Sequence, residues 1–93
     1  MTDEELARLV AELTQQIEQL SGEGKVLSKE ERKKKLLMKA KVSALDRIKE
    51  AREKGTPRQE VRASMDYAVL NEYGHRNWLI YNLVKSRFSL LGF

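Results

Sequence analysis

The sequence predicts an all-α protein of three to four helices forming a small bundle completed by self-association. Three observations carry that expectation. Capping boxes stand directly ahead of apolar series with helical spacing, glycine and proline fall between or after those series, and no two segments offer strands that could pair. Helices are expected at about 2–20, 29–54, 57–73 and 77–90.

The first helix is announced by Thr2-x-x-Glu5, a capping box ahead of Leu6, Val10, Leu13, Ile17 and Leu20. The apolar spacing of four, three, four and three is a heptad seam of about two heptads, widened by Leu9. Such a seam needs a partner helix, from within the chain or from another copy. Ser21-Gly22-Glu23-Gly24 then stops the helix.

A second box, Ser28-x-x-Glu31, opens a helix with no breaker before Gly55, on the order of 39 Å long at 1.5 Å per residue. Leu37, Ala40, Ala44, Ile48 and Ala51 mark its narrow apolar face, flanked by Met38 and Leu45. Arg32, Lys35, Lys39 and Arg47 are expected on the far, solvated side. Gly55-Thr56-Pro57 reads as C-terminal cap, N-cap and first helical residue, with Gln59 completing a box in its glutamine form. In the third helix Val61, Met65, Ala68 and Val69 are the expected main face, and Ala63, Tyr67 and Leu70 a second strip. Two apolar sides suggest a helix sandwiched between neighbours. The fourth segment, Trp78 to Val84, has the composition of a strand. No second strand exists to pair with it, so a helix capped by Asn77 is preferred. All six aromatics lie in the last 27 residues, from which a bulky C-terminal contribution to the core is expected.

The 93 residues are expected to form one domain, 1–93, divided into an acidic helix (1–21), a basic long helix (28–55) and an apolar C-terminal half (56–93). With 41% hydrophobic and 34% charged residues the chain is too apolar for disorder and too charged for a membrane span. No membrane partner is expected. The acidic N-terminus lacks the basic-then-apolar order of a secretory signal, so a cytoplasmic protein is expected.

The formal charge of +4 is unevenly distributed. Residues 1–24 carry one basic and six acidic side chains, residues 25–54 twelve against five, and residues 55–93 five against three. The excess concentrates at Lys25, Lys29, Arg32, Lys33, Lys34, Lys35, Lys39 and Lys41, opposed only by Glu30 and Glu31. Farther on the signs alternate, and Glu50 and Lys54 are spaced to pair on one helical face. The acidic first helix and the basic start of the second are also placed to compensate each other.

Several chemistries are short of parts. The chain has no cysteine and one histidine, His75. Glu72-x-x-His75 has the spacing of a helical di-iron ligand pair, but a second copy and two further glutamates would be required, and Gly74 interrupts the helix between the ligands. Gly22-Glu23-Gly24-Lys25 lacks the strand and remaining glycines of a phosphate loop. No cofactor or metal is expected. The stretch from Ala51 through Gly55 to Val61 has helix-turn-helix spacing, yet Glu50 and Lys54 would occupy buried positions. Its recognition helix would also carry Glu60 and Asp66 among Arg58 and Arg62.

The function expected from these features is non-enzymatic: a small helical interaction or regulatory module that self-associates or docks a larger protein. Its surface would comprise Leu6, Val10, Leu13, Ile17 and Leu20 together with Trp78, Phe88, Leu90, Leu91 and Phe93. Deleting residues 88–93 is expected to reduce the oligomer. The alternative is a nucleic-acid-binding regulator contacting phosphates through the eight basic residues between Lys25 and Lys41. A third reading, a small helical enzyme, would require Arg8, Lys39 and Arg58 to converge in a pocket.

Overall fold

The computed structural model describes residues 1–22, 26–73, 79, 82–84 and 86. Three helices follow one another as α1 (Asp3–Leu20), α2 (Lys29–Lys54) and α3 (Pro57–Tyr73), and among the described residues there is no strand. Leu79, Asn82, Leu83, Val84 and Ser86 are helical too, which favours a helix over a strand where the composition was ambiguous. Asn77, the expected cap of that segment, lies outside the described residues.

The helix boundaries follow from local hydrogen bonding. Thr2 Oγ1 accepts the Glu5 N–H at 3.1 Å, and Asp3, Glu4 and Glu5 place negative charge at the positive end of the α1 dipole. At the start of α2 the capping box is complete: Ser28 Oγ accepts the Glu31 N–H, and Glu31 Oε1 accepts the Ser28 N–H, both at 3.2 Å. Gly55 ends α2 with φ 67° and ψ 42°, the left-handed conformation that glycine adopts without the clash of a Cβ. The Gly55 N–H then reaches the Arg52 carbonyl at 3.3 Å and the Thr56 N–H the Ala51 carbonyl at 2.9 Å, the two bonds of a Schellman turn. The expected Thr56–Gln59 box takes a different form. The Thr56 hydroxyl turns back to the end of α2, 3.3 Å from the Ala51 carbonyl and 3.2 Å from Gln59 Oε1.

Both connections reverse the chain. Asp3 at the start of α1 meets Arg52 near the end of α2, and Arg52 also meets Glu60 in the first turns of α3. The two outer helices therefore run antiparallel to α2. The longest dimension of the molecule, 42 Å, is close to the ~39 Å length of a 26-residue helix.

Among the described residues the helix sandwiched between two other helices is α2. It packs against both α1 and α3, so its buried residues, from Leu37 and Met38 to Ile48 and Ala51, cover about half its circumference. One core cluster joins Leu6 and Leu13 of α1, Met38, Leu45 and Ile48 of α2 and Ala63 of α3. A second joins Leu37, Ala40, Ala44 and Leu70 with Val84, bringing the segment after α3 onto the N-terminal half of α2. Each fully buried Leu or Ile contributes roughly 1.5–3 kcal/mol relative to exposure. Among the described residues the core is aliphatic; Tyr67, half-buried, is the aromatic that packs against both clusters.

Two sequence expectations are overturned at the α2–α3 contact. Arg47, expected on the solvated side of α2, is 8% exposed, and its Nη1 lies 3.3 Å from Oδ2 of Asp66, which is 1% exposed. On α3 the buried face is Ala63, Asp66 and Leu70, with Tyr67 beside them. Val61, Met65 and Ala68 of the expected main face are exposed, and Val69 is half-buried. The cause is the ion pair: a buried Asp66 facing Arg47 selects which of two apolar strips can turn inward, because turning the other inward would leave the arginine buried without its carboxylate. Asp66 is for the same reason absent from any exposed recognition face, whereas Glu50 and Lys54 are exposed and paired with each other.

Candidate functional site

The α1 seam is used within the chain. Leu6 and Leu13 are buried, and Val10, Ile17 and Leu20 are half-buried against the cluster formed with α2. The partner helix that the heptad spacing requires is α2. The other residues expected at a self-association surface, Trp78, Phe88, Leu90, Leu91 and Phe93, lie outside the described residues.

The basic stretch divides by burial. Lys29, Arg32, Lys34 and Lys39 are exposed, Lys33 and Lys35 half-buried, and Lys25 is outside the described residues. Lys41 differs from the rest. It lies one turn from Leu37 and Leu45 on the core side of α2, and burial lowers its pKa from the ordinary 10.5. Its charge is therefore less available to an external anion than those of the exposed Lys29, Arg32, Lys34 and Lys39. An ion pair between α1 and α2, Asp3–Arg52, lies at the opposite end of α2 from the lysine run.

The outer face of α3 carries two large apolar side chains left uncovered; Leu36 on α2 is another, 42% exposed. Val61 and Met65, four residues apart, are 59% and 60% exposed, and exposed Ala68 continues the line. Helical spacing puts these three on one side, opposite Ala63, Asp66 and Leu70. Arg58, Arg62 and Glu72 flank the strip and are exposed. Beyond α3, Leu79 and Leu83 are exposed while Val84 is buried. Sequence reasoning found both apolar strips of α3 but ranked the exposed one as the main face; Asp66, three residues after Ala63 and four before Leu70, hid the strip that is buried, because an aspartate taken singly reads as exposed.

A groove of ≈ 520 Å³ runs between α1 and α2, bounded by Leu6, Ala7, Val10 and Ala11 on one side and Asp46, Lys49, Arg52 and Glu53 on the other, with Asp3 at its end. Arg52 closes it by bonding to Asp3 Oδ1 at 2.8 Å and to the Met1 carbonyl, while its Nε lies 3.3 Å from Glu60. The Asp3 hydrogen bond foremost, and Glu60 after it, hold the guanidinium above its ordinary pKa. The groove's charges are already mixed and partly paired. Arg8, Lys39 and Arg58 do not line it; each is exposed, on a different helix, and Arg8 faces Glu12 at 4.0 Å. Among the described residues no group of three or more His, Cys, Asp or Glu side chains could hold a metal ion, and no helix is long and apolar enough to cross a membrane. His75 lies outside the described residues.

Neither a family model nor a curated protein nor a solved structure matches the chain.

Proposed function

We propose that the protein is a non-enzymatic, cytoplasmic helical interaction module that offers the outer face of α3 to another protein, a second copy or a larger partner. The observation that supports this reading is the uncovered line Val61–Met65–Ala68, on the side of α3 turned away from the core. An apolar strip on the outside of a helix gains by burial against another protein. The α1 seam, the stronger candidate by spacing, has already given its burial to the fold. The test is a photoreactive benzoylphenylalanine at Met65, irradiated in living cells. A covalent adduct with a protein is expected there, and none from the same group at Lys49. No adduct from position 65 sinks the reading.

A second reading, nucleic-acid binding, is favoured by one observation: Lys29, Arg32, Lys34 and Lys39 remain exposed near the start of α2. Four phosphate contacts would give a log–log salt slope of about −3.6, so affinity for duplex DNA or RNA should fall by about 150-fold between ~50 and ~200 mM salt. Replacing Lys33, Lys34 and Lys35 with Glu should remove it. No gel retardation of a duplex at the lower salt eliminates this reading.

A further inference from the structure

Resting on the reading of α3 as an interaction surface, we infer that its occupant is a second copy of this chain, laid antiparallel so that α3 packs on α3 with Arg58 of each copy beside Glu72 of the other. The argument begins with charges that are wrong for their own helix. Arg58 is the second residue of α3, at the positive end of the dipole, and Glu72 lies in the last turn, at the negative end. Both are exposed, and among the described residues neither has an ion-pair partner within the chain. At other ends the usual rule is followed: acids open α1 and α2, and Arg52 and Lys54 close α2, although the last turn of α1 holds Glu18 and no basic residue. An antiparallel neighbour reverses the sign at each end, because the start of one helix lies beside the end of the other.

The apolar residues have the matching register. Arg58, Val61, Met65, Ala68 and Glu72 are spaced three, four, three and four, a single seam along the outer face. With Met65 on a two-fold axis, Arg58 comes opposite Glu72 of the second copy, and Val61 comes opposite Val69 at the edge of the seam, a residue that is half-buried against its own core. The arrangement is isologous, the usual form of a dimer contact. The acidic residues that would spoil it are withdrawn: Asp66 is buried against Arg47, and Glu60 faces Arg52. The length of α3, about 25 Å for 17 residues, limits the contact to the small end of specific interfaces, so the dimer is weak and reversible.

Sedimentation equilibrium of the full chain at low salt, from about 10 μM to about 1 mM, tests this. The wild type should pass from monomer to dimer across that range. Arg58→Glu alone and Glu72→Arg alone should each weaken the dimer about tenfold, by setting like charges side by side at two symmetric positions. The two together in one chain should restore it to within about threefold, and Met65→Glu should abolish it. A chain that stays monomeric throughout, or a double variant no tighter than the single ones, overturns the proposal. An adduct from photoreactive Met65 at a mass other than twice the monomer overturns the second copy while leaving the surface itself intact as a docking site; absence of any adduct removes both.

Discussion

Arg47 and Asp66 form the contact on which the orientation of α3 depends, and the energetics of such a pair are asymmetric. Two charges withdrawn from water lose several kcal/mol of hydration each, which their mutual attraction offsets only while both remain. Asp66→Ala should therefore lower unfolding free energy by about 3–5 kcal/mol, whereas Arg47→Met with Asp66→Leu should be near neutral or stabilising. Urea denaturation of the two variants distinguishes these outcomes; equal losses in both would show that the pair is not isolated from water. Lys41 provides a second test at this scale. Burial depresses its pKa in the folded state, so the unfolded chain binds the proton more tightly, and the penalty is in full force at neutral pH. It is relieved as pH rises from the folded pKa towards 10.5, the unfolded value. Lys41→Met should then stabilise the protein at pH 7, with a smaller gain near pH 10.5. Tyr67 acts in the opposite sense: burial, and secondarily Glu12, raise its pKa above 10.0, so its ionisation destabilises the fold at high pH. That contribution is common to wild type and variant and cancels in their difference. A gain from Lys41→Met independent of pH would assign the whole effect to packing.

At the level of elements, the turn between α2 and α3 rests on one residue. A Cβ at Gly55 would meet nothing within 4 Å, so any cost of Gly55→Ala comes from the left-handed backbone alone. That cost is about 1–2 kcal/mol, read as a drop in melting temperature, with Gly55→Asn losing less. A neutral Gly55→Ala would mean that the turn relaxes to another conformation. This hairpin also marks the border between what was legible in the chain and what was not. The starts of α1, α2 and α3 and the end of α2 were legible because Thr2, Ser28 and the Gly55-Thr56-Pro57 punctuation act through bonds to neighbours a few residues away. Which face of α3 turns inward was not. Val61, Met65, Ala68 and Val69 outweigh Ala63, Tyr67 and Leu70 in apolar bulk, and Arg47 and Asp66 each read as exposed when considered singly. Only their meeting, 19 positions apart, makes burial tolerable for either. Part of the expected interaction surface is used within the fold, where Leu6 and Leu13 of the α1 seam are buried against α2.

For the molecule as a whole, the consequence is a link between association and stability. A chain of this length buries a smaller fraction of its surface than a larger domain does, so a contact that covers Val61 and Met65 adds appreciably to a modest total. If dimerisation through α3 occurs only in the folded state, mass action requires stability to rise with concentration. At ten times the dissociation constant the increment is about 1.4 kcal/mol. For a domain of 60–100 residues that corresponds to a melting temperature higher by roughly 5–10 °C than at high dilution. Scanning calorimetry at about 10 μM and about 1 mM measures it directly. Met65→Glu should abolish the difference while leaving the dilute melting temperature nearly unchanged, since the side chain is outside the core. The alternative in which α1 pairs with a second copy predicts something else. Separating Leu6 and Leu13 from α2 would expose one core cluster to cover another, and any rise in melting temperature from pairing through α1 would survive Met65→Glu. The effect of Met65→Glu on the concentration dependence thus decides which helix carries the contact.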